Sequence, residues 1–142
     1  MVELIPIEKN IDISNITEES AKSNVELTIG YYEKIGFIKP WISYLVNYQG
    51  ENVGICAFKG KPVNDTVEIA YSTFPSFEGQ GFATKACGQL IGIAQRENKD
   101  ICITARTLPE DNASTTVLKK NGFRLSGTVV DPDDGEVFEW VL

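Results

Sequence analysis

Apolar and polar side chains alternate between residues 67 and 74, a pattern typical of a half-buried β-strand. Alternation places every second side chain on the same face of such a strand. One face carries Val67, Ile69 and Tyr71, and the other carries Glu68, Ala70, Ser72 and Phe74. The second face sets a carboxylate among small side chains, so it could form the floor of a cleft.

A glycine turn and a helix follow this strand. Gly79 and Gly81 stand just before residues 83–95, where Ala83, Cys87, Leu90 and Ala94 recur at helical spacing. A glycine turn at a helix N-terminus leaves backbone N–H groups free at the positive end of the helix dipole. It is therefore an anion site suited to a phosphate or pyrophosphate. The alternative is that the turn needs glycine only for its geometry.

The remaining pattern completes an α/β fold. The pattern predicts a first strand over Leu4–Ile7 and a first helix that begins at Thr17 as its cap. It also predicts a second helix, which contains Val25 to Tyr32 and ends near Gly36. The later predicted elements are a hairpin of strands 41–48 and 53–58, a strand over 101–105, a helix over 112–120 and strands over 123–126 and 137–142. The 142 residues fit one domain, a mixed sheet with helices on both faces.

Composition and charge exclude several classes of function. The net charge is −7 and Lys and Arg form no cluster, which argues against a nucleic acid or an anionic membrane as partner. No apolar run approaches the ~20 residues that span a bilayer, and the N-terminus lacks the basic region of a secretory signal. We therefore expect a cytoplasmic protein.

Cysteine and histidine usage excludes metal and hydrolase chemistry of the common kinds. Cys56, Cys87 and Cys102 have no metal-ligand spacing, and the chain has no histidine. A Ser-His-Asp or Cys-His nucleophile is therefore absent in its ordinary form. An odd number of cysteines without a signal sequence indicates reduced thiols.

Three stretches together resemble one known family. They are Glu68–Tyr71 with Gly79–Thr84, then Asn112–Ser114 with Val117–Phe123, and lastly Asp134–Trp140. They resemble the GCN5-related N-acetyltransferases, in particular the branch of the ribosomal-protein N-terminal acetyltransferases. The resemblance implies a mostly antiparallel twisted sheet, acetyl-CoA as acyl donor, no metal, and direct attack by a small-molecule or peptide amine. It is also compatible with a homodimer.

The resemblance implies a set of cofactor-binding residues on the strand end, the glycine turn and the late helix. They are Thr73, Phe74, Gly79, Gln80, Gly81, Phe82, Ala83, Thr84, Asn112 and Ser114. Two positions depart from the family pattern. Glu78 replaces the usual Arg or Gln, and the usual helix-entry Asn falls on Asp111, with Asn112 one position later. Which of these two faces the cofactor stays open.

Glu68 is the candidate catalytic base, since a carboxylate on the cleft face could take the amine proton directly or through water. The alternative is a salt-bridged glutamate with no catalytic role. The family's late-helix tyrosine falls on Leu118, so the proton donor for the leaving thiolate stays open, and Tyr71 is assigned to the core. Lys119 and Lys120 could reach a phosphate or serve the helix dipole. A non-catalytic acyl-CoA-binding module is the second hypothesis.

Overall fold

The computed structural model describes residues 1–14 and 16–142, which form a seven-stranded sheet with helices on both faces. The strands are β1 (Glu3–Pro6), β2 (Ser43–Tyr48), β3 (Glu51–Phe58), β4 (Thr66–Thr73), β5 (Cys102–Thr107), β6 (Arg124–Asp131) and β7 (Gly135–Val141). The helices are α1 (Glu19–Ile35), α2 (Phe82–Glu97) and α3 (Ala113–Lys120), with a short 3₁₀ turn at Pro75–Phe77.

The sheet order is β1-β2-β3-β4-β5-β7-β6. Every neighbouring pair is antiparallel except β4 and β5, which run parallel. The expected mixed, mostly antiparallel sheet with helices on both faces is confirmed. Gln49 and Gly50 connect β2 and β3 with positive φ angles, the geometry that tight hairpins favour, so the predicted hairpin is confirmed with a shorter turn.

Apolar side chains of the sheet pack on both faces. Under α2, the strand residues Val67 and Ile69 meet Cys87 and Leu90, each of them at most 2% exposed. On the other face, Ala21 and Val25 of α1 join a smaller cluster with Leu45, Ile55 and Phe74. The alternation predicted for residues 67–74 is thus confirmed.

The prediction of two early helices was wrong. One helix, α1, covers both, because Ala21, Val25 and Tyr32 form one continuous buried stripe at helical spacing. Thr17 does not cap it: the capping position is Glu18, and no side chain in the described residues caps this end. The expected end near Gly36 is confirmed by the bond from its N–H to the Tyr32 carbonyl.

In the described part of the chain, no helix has the length and apolar character needed to cross a membrane.

Candidate active site

The parallel strands β4 and β5 separate before either one ends. Their pairing stops at Ile69 opposite Ala105, although β4 continues to Thr73 and β5 to Thr107. From Ala70 to Thr73 the edge of β4 that faces β5 has no strand partner within the described residues. A crevice at the carboxyl ends of parallel strands is a common place for a ligand in α/β sheets.

The glycine turn closes one end of this crevice. Gly79 and Gly81 have φ angles of +79° and +82°, which a residue with a Cβ rarely adopts. Gly81 occupies the capping position of α2, where no described side chain bonds to the first-turn N–H groups. A Cβ added at either glycine would meet none of the described atoms within 4 Å. The backbone donors of the turn are therefore open to a ligand.

These elements enclose a cavity of about 750 Å³. We call it the cofactor cavity, lined by Tyr71–Thr73, Phe77–Thr84, Ala113, Ser114, Thr116, Val117 and Lys120. The predicted cofactor residues therefore lie together, with two exceptions. Phe74 is buried in the apolar cluster under α1. Asn112 caps α3, its Oδ1 accepting from the Thr115 backbone N–H at 3.1 Å.

The start of α3 shows the positions of Asp111 and Asn112. Asn112, not Asp111, begins α3 through a reciprocal capping box with Thr115. Asp111 is solvent-exposed and lies 3.4 Å from the Lys119 ammonium. Neither residue lines the cofactor cavity, whereas Ser114 and Lys120 of the same helix do.

Tyr71 is the main residue that the sequence interpretation missed. Its hydroxyl donates a hydrogen bond to the Ser114 carbonyl at 2.8 Å, bridging β4 and α3 across the crevice. Burial, with a smaller contribution from the Cys87 thiol, raises the pKa of Tyr71 above its ordinary value. The hydroxyl thus keeps its proton well into the alkaline range. Leu118, the position where the family usually has tyrosine, is fully buried.

A second open cavity, of about 890 Å³, lies between α1 and the opposite face of the sheet. We call it the α1 groove. Leu27, Tyr31 and Lys34 form its helical wall, and Ile55 and Ser72 form part of its floor. Ser72 also lines the cofactor cavity, so this residue of β4 belongs to the walls of both cavities.

Glu68 belongs to a network of charged side chains. Its carboxylate lies 3.1 Å from the Lys59 ammonium and 3.9 Å from Nε of Arg106, which also bonds Asp131 at 3.0 Å. Burial acts to lower the pKa of Lys59, but the hydrogen bond and charge of Glu68 outweigh it, so this pKa is raised. Within the described residues Glu68 lines neither cavity. The geometry favours the salt-bridged alternative, and a catalytic role for Glu68 stays a prediction.

Most of the chain matches the model of one known protein family. The family model for the acetyltransferase (GNAT) domain matches residues 11–124. The chain belongs to the GNAT acetyltransferase family. The predicted family and its enzymatic character are confirmed, and with them acetyl-CoA, the acyl donor that GNAT enzymes use.

Solved GNAT structures are similar to this chain over most or all of its length. The RimL ribosomal L7/L12 α-N-protein acetyltransferase is 22% identical, with a TM-score of 0.75 over 99% of this chain and 92% of its own. The aminoglycoside acetyltransferase AAC(6′)-Ib, in complex with coenzyme A and kanamycin, is 17% identical, with a TM-score of 0.74 over 100% of this chain and 94% of its own. A GNAT acetyltransferase from Bacillus anthracis is 24% identical, with a TM-score of 0.64 over 89% of this chain and 75% of its own. No curated protein sequence matches the chain significantly.

The residues of the cofactor cavity fit the GNAT acyl donor. Free backbone donors at Gly79–Thr84 suit a pyrophosphate, and the Lys120 ammonium adds a positive charge at the same cavity. The free edge of β4 offers backbone N–H and C=O groups to an extended amide-containing arm. Glu78 is exposed at the rim, where its carboxylate can turn into solvent.

The charged network around Glu68 leads to a first prediction. We expect Glu68→Gln to leave turnover within about tenfold of wild type, whereas loss of a general base typically costs ~10²–10⁴-fold. The variant should lose about 1 kcal/mol of unfolding free energy, because the neutral amide no longer attracts Lys59 and Arg106. Steady-state kinetics and urea denaturation measure the two effects.

Glu8→Gln is the matched control, because Glu8 pairs with Lys39 on the open surface and should lose less stability. A hundredfold loss of turnover in Glu68→Gln at unchanged stability would restore Glu68 as the catalytic base.

Proposed function

We propose that this GNAT enzyme transfers the acetyl group of acetyl-CoA to a primary amine that binds in the α1 groove. The observation that carries the proposal is that Ser72 of β4 lines both cavities. A donor held on one side of β4 and an amine held on the other would come together there. Such positioning removes much of the entropic barrier of a two-substrate reaction.

The cofactor supplies an activated thioester carbonyl, and the chain supplies the binding and proton-holding groups. First-turn N–H groups of α2 and the Lys120 ammonium would hold the phosphate charge of the cofactor. The free edge of β4 would offer its backbone N–H and C=O groups to the extended arm of the cofactor. Direct attack by a neutral amine needs no covalent enzyme intermediate, which suits a chain without histidine.

Tyr71 is the proposed proton donor for the leaving thiolate. Tyr71 lines the cofactor cavity, and its hydroxyl proton bonds the Ser114 carbonyl at 2.8 Å. This proton would leave the carbonyl for the thiolate sulfur, and the tyrosinate would take up a proton from solvent. Tyr71 thus replaces, from the neighbouring strand, the tyrosine that the family places in the late helix, where this chain has Leu118. The missing late-helix tyrosine therefore does not favour a non-catalytic module.

The α1 groove also bears on the acceptor. Its wall combines the apolar Leu27 and Tyr31 with the charged Glu26 and Lys34. An exposed carboxylate beside apolar surface suits an ammonium group with an attached carbon chain. Both a peptide N-terminus and an amino sugar have this character. RimL and AAC(6′)-Ib, whose names specify a ribosomal protein and an aminoglycoside, represent these two kinds.

The acceptor class is tested by free-thiol release from acetyl-CoA across peptides with free N-termini, small amines and aminoglycosides. We expect thiol release that depends on one of these classes and saturates with its concentration. If the protein binds CoA and no amine accelerates thiol release, the chain is a binding module and the proposal fails.

The pH dependence of turnover tests the role of Tyr71. The rate should rise as the amine loses its proton, near pH ~8 for an α-amino group and ~10.4 for a lysine. Because burial raises the pKa of Tyr71, its proton is retained as the pH rises, and no falling limb should appear below about pH 10. A descending limb near neutral pH, measured at saturating substrates, would contradict Tyr71 as the donor.

A further inference from the structure

The strand β6 is a long and open edge of the sheet. It has eight residues, stands last in the strand order, and is exposed or half-buried from Arg124 to Val130. Leu125 and Val130 are apolar yet 49% and 81% exposed. The opposite edge, β1, has four residues and ends at Pro6, which cannot donate to a neighbouring strand. Native sheets usually shorten or block their edges, as β1 does, whereas β6 is long and carries only a bulge at Leu125–Gly127.

A bulge in β6 decides which of its side chains share a face. The pairing with β7 shifts between Leu125, opposite Trp140, and Gly127, opposite Glu139. Side chains follow the faces of their β7 partners, so each face of β6 carries its own set. One face carries Leu125, Thr128 and Val130, and the other carries Arg124, Gly127, Val129 and Asp131.

We propose that two copies of this chain pair through β6 in antiparallel orientation, around a twofold axis at Thr128. In this register Leu125 lies opposite the partner's Val130, and Arg124 lies opposite the partner's Asp131. The register skips Ser126, the extra residue of the bulge, which has no partner in β7. The two side chains of each pair then lie on the same face of the continuous sheet, as twofold symmetry requires. Opposite charges and apolar pairs across strands are both favourable.

The charges at the strand ends fit this pairing. Arg124 is exposed and makes no ion pair with the described residues. Asp131 accepts bonds from Arg106 and from the backbone N–H groups of Asp133 and Asp134. A carboxylate has about four acceptor positions, so one is left for a further donor. The twofold axis brings an arginine to each of the two carboxylates.

Thr128→Cys tests the register, because a side chain on the axis faces its own copy with Cβ atoms ~4.5–5.5 Å apart. Mild oxidation should give a disulfide-linked dimer, seen on a non-reducing gel. Wild type should give none, since Cys56 and Cys87 are buried and Cys102 is half-buried. Val63→Cys, at a position 65% exposed in the β3–β4 connection, is the control for random collisions.

Sedimentation equilibrium tests the association itself. Wild type should dimerise, and Val130→Lys should weaken the dimer by about tenfold or more, since symmetry alters the contact twice. Val63→Lys adds the same charge at an exposed position away from β6 and should leave the dimer intact. A wild-type mass that stays monomeric at every concentration, or equal cross-linking of Thr128→Cys and Val63→Cys, would overturn the proposal.

Discussion

Gly81→Ala should weaken CoA binding by about a hundredfold or more and leave the protein folded. Gly81 lines the cofactor cavity at the N-terminus of α2, where the first-turn N–H groups are open. A methyl group there would hold a phosphate away from at least two donors, and a hydrogen bond to a charged group contributes about 1.5–3 kcal/mol. Isothermal titration calorimetry with CoA measures the loss.

Gly50→Ala is the matched control for the backbone strain. Gly50 has a φ of +86° against +82° at Gly81, and a Cβ at either position meets no described atom within 4 Å. Both variants should lose about 1 kcal/mol of unfolding free energy, because alanine is disfavoured at positive φ. Only Gly81→Ala should lose CoA affinity. Unchanged affinity in a folded Gly81→Ala protein would remove the glycine turn from the binding site.

Tyr71→Phe should lower turnover by about a hundredfold or more and change CoA affinity by less than about threefold. The phenyl ring keeps the packing against α2, while the O–H group that bonds the Ser114 carbonyl beside the cofactor cavity is lost. Proton donation to a leaving group is typically worth ~10²–10⁴-fold. Steady-state kinetics at saturating amine, together with calorimetry for CoA, separates the two effects.

Tyr44→Phe controls for the loss of a structural hydrogen bond. The Tyr44 hydroxyl also donates to a backbone carbonyl, that of Pro40 at 2.6 Å, and Tyr44 lines neither the cofactor cavity nor the α1 groove among the described residues. It should therefore keep wild-type turnover. Wild-type turnover in Tyr71→Phe, or an equal loss in both variants, would mean that Tyr71 only ties β4 to α3.

The parts of the site that depend on local signals could be predicted from the sequence. Strand alternation, the glycines before α2 and the apolar spacing within it predicted a glycine turn between β4 and α2, and the structure places this turn at the cofactor cavity. The same alternation placed Tyr71 on the face opposite Glu68, and the structure packs that face of β4 against α2. The exposure of Tyr71 to the cavity depends on where β4 leaves β5, and that divergence lies in hydrogen bonds between residues more than thirty positions apart.

Other features depended on long-range contacts in the same way. The partners of Glu68 come from the end of β3 and from β5, and spacing along the chain does not indicate that Lys59 and Arg106 converge on it. Phe74 follows the strand alternation, but the cluster that buries it under α1 depends on how that helix packs. The predicted strand over 123–126 stopped early because the bulge at Leu125–Gly127 interrupts the alternation on which strand prediction relies.

The most direct test of the proposed activity is the amount of acetylated amine formed for each thiol released, followed by mass spectrometry and thiol titration in one reaction. We expect one acetylated amine per thiol with the wild-type enzyme, and both products at about a tenth of the wild-type rate or less with Gly81→Ala at an acetyl-CoA concentration about tenfold above the wild-type Kd. Thiol release at the same rate with and without amine, and with no acetylated product, would contradict acetyl transfer.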